Sequence, residues 1–249
     1  MSRYAKTGKD VTSEEARLLA EVARALSAGE PPAEDPFVAW CGTQARSAGT
    51  WHVLGAGPSL LEFAARQDWK GFHCVATNGT PLVCKGFSHW CSVDPMPRKV
   101  LDALEPLEVP KLVGGVPGWE KDGKGYPKDS VQAPHWSRIG PLRLADMPAR
   151  GLYWRTSVVQ MGMELARLLG ARRIVLWGVD YADNSHAYDK ACPEGARPKG
   201  ARWDLTSIKQ AFQTLALEYQ TAGIEVWNAN PGSLLGIWGT IKPEKAISL

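Results

Sequence analysis

No apolar run in this chain approaches the roughly 20 residues that a bilayer span needs. The opening residues, MSRYAKTGKDVTSEEARLL, lack the basic-then-apolar order of a signal peptide. Both absences lead to the expectation of a cytoplasmic protein. An excess of one charge is missing too: 29 Lys and Arg against 26 Asp and Glu leave a net charge of +3. That balance makes no case of its own for a nucleic-acid partner. The cysteines, Cys41, Cys74, Cys84, Cys91 and Cys192, are odd in number and irregular in spacing, a poor disulfide framework. There is no Cys-x-x-Cys pair. Although Cys74, Cys84, His89 and Cys91 lie near one another in the chain, buried reduced thiols are expected ahead of a metal site. Two nucleotide motifs are also absent. Leu60 stands where Gly-x-Gly-x-x-Gly needs its third glycine, and no Gly-x-x-x-x-Gly-Lys-Ser/Thr occurs. These gaps argue against a standard nicotinamide enzyme and against a P-loop kinase.

What the chain does have is tryptophan, 11 in 249 residues. For each one, anchoring of core or loop is the first expectation, and stacking on a base or sugar ring the rarer use. Hydrophobic content of 44% and charged content of 22% fit a globular chain with a substantial core.

VTSEEARLLAEVARALSAGE predicts a capped N-terminal helix, and EPPAEDP a linker. Residues 1–49 are thus expected to be a helical extension, 50–239 the catalytic domain and 240–249 a tail. In the domain, WHVLGAG, FHCVATNG, HWCSVDP, PKLVGGV, RRIVLWGVDY and IEVWNANP read as short buried strands. PSLLEFAARQ, SVVQMGMELARLLGA and TSIKQAFQTLALEYQTAG read as helices. The alternation predicts a Rossmann-like α/β fold, a mostly parallel sheet with helices on both faces. Ligands in such folds bind beyond the carboxyl ends of the strands. Gly55, Gly57, Asn78, Asp94, Asp180, Asn228 and Asn230 fall there. Residues 114–150 and 182–204 are long loops bearing Lys and Arg, as lids over phosphates would.

The stretch VLGAGPSLLEF makes a narrower statement. Gly55 and Gly57 permit a tight turn, Pro58 suits a first helical position, and Ser59 adds a hydroxyl. A helix starting there would favour an anion, so the turn is expected to seat a phosphate.

GAGPSL, then ATNG about twenty residues on, then SVDP, then RTSVVQMGMELARLLGARRIVLWGVDY, resembles the bacterial CMP-sialic acid-dependent sialyltransferases of the single-Rossmann type. The same order resembles the broader MptE-like domain, which includes 6-hydroxymethylpterin diphosphokinases and many bacterial and phage proteins. The resemblance spans roughly residues 50–232. It implies that Gly55, Gly57, Pro58 and Ser59 form the phosphate-side turn and that Asn78 contacts the nucleotide sugar. It implies further that Thr156 and Ser157 open the nucleotide-side helix and that Tyr188 holds the leaving phosphate. Arg155 lies one position from the family's arginine. Other positions depart from the sialyltransferases: Ala56 and Asp94 replace asparagines, Val158 a glycine and Ala182 a tyrosine, with Tyr181 beside it. The family's base histidine has no counterpart in KGARWDLT.

His186 is then the best-placed general base, with Asp183 and Asp189 near enough in sequence to orient it. Asp94 and Asp180 could meet a ribose or Mg²⁺. The first expectation is a transferase using a nucleotide-sugar donor, with a small-molecule or glycan acceptor. The alternatives are an Mg²⁺-dependent, ATP-using diphosphokinase-like transferase and a non-catalytic nucleotide-binding module. A nucleic-acid acceptor has only the basic loops in its favour.

Overall fold

The computed structural model describes residues 35–44, 46–136, 152–154, 156–182, 185–195 and 204–249. The expected N-terminal helix and two of the expected site residues, Arg155 and Asp183, lie outside these. Residues Pro36–Leu249 form one unit.

Eight strands build the main sheet: β1 (Thr50–Leu54), β2 (His73–Thr77), β3 (His89–Ser92), β4 (Lys111–Val113), β5 (Val131–Gln132), β6 (Arg173–Trp177), β7 (Glu225–Asn228) and β8 (Gly239–Thr240). Their spatial order is β8-β7-β6-β1-β2-β3-β4-β5, and every pairing is parallel. The Rossmann-like α/β expectation therefore holds. The chain starts in the middle at β1, builds outward to β5, then crosses back to β6 on the other side of β1. Leu54 pairs with Trp177 on one side and Ala76 on the other. The strand order reverses between β1 and β6, and a crevice opens at such a switch point.

The strands are continuous apolar runs because both faces are covered. In β1, Trp51 and Val53 enter one core while His52 and Leu54 enter the other. In β6, Ile174 and Leu176 alternate with Val175 and Trp177 in the same way. One face packs against α1 (Pro36–Thr43), α3 (Val158–Leu168) and α4 (Leu205–Thr221); the other against α2 (Arg98–Leu104), α5 (Pro243–Ile247) and short 3-10 turns. Phe37 and Cys41 of α1 and Ala246 of α5 are buried.

Trp51, Trp69 and Trp90 are fully buried and Trp177 nearly so, which is the anchoring use of tryptophan; Trp119 is exposed. All five cysteines are buried thiols. Burial pushes Cys84 up to about 12, which keeps it uncharged and unreactive. No helix of the described residues is long and apolar enough to cross a membrane.

One expected element is different. Residues 58–67 do not form an α-helix but two 3-10 turns, Pro58–Leu61 and Ala64–Arg66. The break falls at Phe63, whose φ of −133° with ψ −58° lies outside the helical region. The Ala64 carbonyl accepts from Gln67 N–H at 3.3 Å within the second turn and from Trp69 Nε1 at 3.0 Å.

Candidate functional site

A cleft opens at the switch point. Ala56, Gly57 and Pro58 after β1 and Val179 and Asp180 after β6 line it; Asn78, Ser157 and His186 complete it. Of the expected site residues, Gly57, Pro58, Asn78, Ser157, Asp180 and His186 share this one cleft.

The turn after β1 is locked to the turn after β6. Gly55 N–H donates to the Trp177 carbonyl at 2.7 Å, and Gly57 N–H to the Gly178 carbonyl at 2.7 Å. Ser59, on which an anion was expected to sit, is already occupied. Its backbone N–H donates to Asp180 Oδ2 at 2.7 Å and its hydroxyl to Oδ1. Asn230 Nδ2 donates to the same Oδ1. Asp180 is 5% exposed, and a Cβ on Gly57 would lie 2.6 Å from its Oδ2. The glycine is therefore there for the carboxylate. Two unit negative charges about 4 Å apart repel by about 4 kcal/mol at an effective dielectric constant of ~20. A second anion on this turn would meet that repulsion.

Across the cleft, α3 supplies a true helix start. Ser157 is its N-cap, extended at φ −154° and ψ 137°, and its Oγ accepts from Val159 N–H at 3.2 Å. The same Oγ accepts from the Tyr181 hydroxyl at 2.8 Å. With both lone pairs used, the Ser157 proton has to point elsewhere. Val158 N–H, at the first helical position, has no intrahelical acceptor. Thr156 donates its N–H to Gln160 Oε1 at 3.1 Å, while its hydroxyl is buried without a partner among the described residues.

Asn78 sits at the end of β2 with φ +49°, a conformation asparagine tolerates better than most residues. The core holds it there. Trp90 Nε1 donates to its carbonyl at 2.8 Å, and its side-chain amide meets Ser92 Oγ at 2.8 Å. The other end of the amide is left for the cleft. Asp94 follows β3, and its carbonyl accepts from Ser92 Oγ at 2.7 Å. Its carboxylate is close enough to help raise the Tyr126 and Tyr188 phenols.

His186 faces the cleft from the loop after β6. Its Nδ1 is 3.1 Å from Asp189 Oδ1, and its N–H donates to Asp189 Oδ2 at 2.8 Å. An ionised carboxylate only accepts, so in the neutral ring Nδ1 carries the proton and Nε2 is the nitrogen that can take one. Tyr188 lies outside the cleft lining and is 4% exposed. Burial, as the largest cause, pushes its phenol well above the usual range.

Among the described residues, no three His, Cys, Asp or Glu side chains gather as a metal site would require. Trp90, Ser92, Tyr181 and Asn230 hold the site together; Trp90 and Ser92 were not singled out in the sequence, Asn230 was named only as a strand-end residue and Tyr181 only as the neighbour of Ala182. Ser92 and Asn230 do stand at strand ends, which was the available signal.

No family model and no curated protein matches the chain. Among solved structures, it is similar to the sialyltransferase CstII from Campylobacter jejuni in complex with a substrate analogue, cytidine-5'-monophosphate. Identity is 15% and the TM-score 0.46, over 80% of this chain and 87% of that one. It is also similar to a structure of the sialyltransferase CST-II in complex with trisaccharide acceptor and CMP, at 16% identity and a TM-score of 0.43. That match covers 78% of this chain and 86% of the other. At these values nothing about chemistry follows from the likeness.

Proposed function

We propose that the chain is a transferase that moves a sugar from a nucleotide donor to an acceptor hydroxyl. The observation that carries this is the meeting, at one switch-point cleft, of a helix start and a His-carboxylate pair. The helix start, with Val158 N–H and the undonated Ser157 hydroxyl, suits a leaving nucleotide phosphate. Asn78 offers the cleft-facing end of its side-chain amide to the donor. Asp180 has about one lone pair left after its three hydrogen bonds, enough for a ribose hydroxyl. His186 Nε2 takes the acceptor's proton as the new glycosidic bond forms. Asp189 stabilises the imidazolium that results. The acceptor is a small molecule or glycan presenting a hydroxyl.

This scheme puts the leaving group's charge on backbone dipoles and needs no metal. The diphosphokinase-like alternative would depend on Mg²⁺ held by Asp94 or Asp180. Asp180 is engaged by Ser59 and Asn230, which weakens that reading. Calorimetric titration with CMP, CDP, UDP, GDP, AMP and ATP, with and without Mg²⁺, separates the two. Metal-independent binding led by CMP, followed by slow hydrolysis of a CMP-sugar without acceptor, is expected. Mg²⁺-dependent preference for ATP would overturn the proposal. Binding without turnover of any donor would leave the non-catalytic module.

A further inference from the structure

The Tyr188 ring is placed unlike a side chain that reaches for a phosphate. It lies parallel to the His186 imidazole, with centroids 5.0 Å apart and planes inclined by 7°. The ring fills the space a side chain would need at Gly79: a Cβ there would lie over the ring face, 2.6 Å from Tyr188 Cε1 and 2.7 Å from Cδ1 and Cζ. The Cε2 edge is 3.4 Å from where Gly195 would carry a Cβ. Gly79 directly follows Asn78, so the ring stands between the Asn78 turn and His186. Its own backbone is tied down as well, since the Tyr188 carbonyl accepts from Ala191 and Cys192 N–H, each at 2.9 Å. Next to it, Ala187 N–H donates to the Ala56 carbonyl at 2.8 Å, joining this loop to the turn after β1. The phenol is desolvated, stays protonated, and has the Gly79 backbone as a hydrogen-bond partner.

We infer that Tyr188 is a positioning residue that acts through its ring face rather than its hydroxyl: clamped by Gly79, it holds His186 in the plane where Nδ1 meets Asp189 and Nε2 faces the cleft. The significance of this for catalysis rests on the proposed role of His186 as base; the geometry does not. A stacked ring restricts the imidazole to one plane, and one plane keeps the carboxylate on one nitrogen. The glycine at 79 is then required by its neighbour's ring rather than by its own backbone, whose φ is an ordinary −81°.

The test is the tautomer of His186, read from ¹⁵N-resolved ring spectra of the full chain, with the signals assigned by His186→Gln. The native chain should show the Nδ1–H form in about tenfold or greater excess, as a hydrogen bond to a charged group implies. Tyr188→Phe, which keeps the ring, should preserve that excess. Tyr188→Leu and Gly79→Ala, which remove or displace the ring, should reduce it severalfold and average the two nitrogens. If Tyr188→Leu does not fold, Gly79→Ala against Tyr188→Phe decides. Loss of the excess in Tyr188→Phe would show that the hydroxyl matters and overturn the inference. Its retention in both Tyr188→Leu and Gly79→Ala would do the same. The spectra need no nucleotide, so a failure of CMP to bind would fell the transferase proposal while leaving this result standing.

Discussion

Two strand-to-helix connections face each other across the cleft, and they solve opposite problems. After β1, the Gly-Ala-Gly-Pro-Ser turn has the composition of an anion seat, yet its Ser59 N–H and hydroxyl hold the chain's own Asp180 carboxylate. At the start of α3, no glycine advertises the site, yet a real helix begins there, with an undonated Ser157 hydroxyl. The difference teaches that a glycine turn seats a ligand anion only where no internal anion has taken its donors. In this chain the first turn is a structural staple between β1 and β6, and the second is the free end.

The largest effect should come from the chemistry beside the free end. His186→Gln should lower donor turnover by about 10²–10⁴-fold, the usual worth of a positioned general base, with little change in nucleotide affinity. Steady-state kinetics with a CMP-sugar would check it, and unchanged kcat would remove His186 from the mechanism. Next comes the staple. Asp180→Ala leaves the Ser59 and Asn230 donors unpaired and should cost about 3 kcal/mol in chemical denaturation. If the carboxylate stands in for an anion, inorganic phosphate should raise the Tm of this variant more than that of the native chain. Equal stabilisation of both would break the comparison.

A smaller, pH-dependent effect should appear at the far end of α3. Burial raises the Glu164 carboxyl to about 7, with Arg167 and the Tyr219 hydroxyl pulling the other way and Glu218 adding to the rise. The folded state then binds the proton more tightly than the unfolded chain. Stability from this group is present below about 4.5 and is lost as pH rises towards 7. His52 and His89, lowered to about 4 by burial, act oppositely: their contribution is full above about 6.5 and lost as pH falls towards 4. Glu164→Gln should therefore make the rise in stability from pH 4.5 to 7 steeper, as urea midpoints across that range would reveal. An unaltered slope would mean that Glu164 titrates normally.

Much of the sheet was legible because buried parallel strands announce themselves as short apolar runs such as Ile174–Trp177. The helices α3 and α4 were legible from their periodicity, although α4 begins one residue before the expected Thr206, on the Asp204 cap. The segment after Pro58 was not. Leu60, Leu61, Phe63 and Ala64 imitate a helical stripe, but the backbone breaks at Phe63 and Trp69 Nε1 holds the Ala64 carbonyl. The same limit applied to the site. His186 and its Asp189 partner are three residues apart and could be paired by eye. Ser59 and Asp180 are 121 residues apart, and no local pattern says that one caps the other. Asn78 was visible at a strand end, but its fixing by Trp90 and Ser92 is a tertiary fact.

The most direct measurement is a metal-free calorimetric titration of CMP into the native chain, Ser157→Ala and Ser59→Ala. Ser157→Ala should weaken binding about tenfold, the worth of one charge-assisted hydrogen bond. Ser59→Ala should leave affinity unchanged while lowering stability by about 1 kcal/mol. The reverse order, with Ser59 governing affinity and Ser157 indifferent, would put the phosphate on the glycine turn and contradict the assignment of the free end to α3.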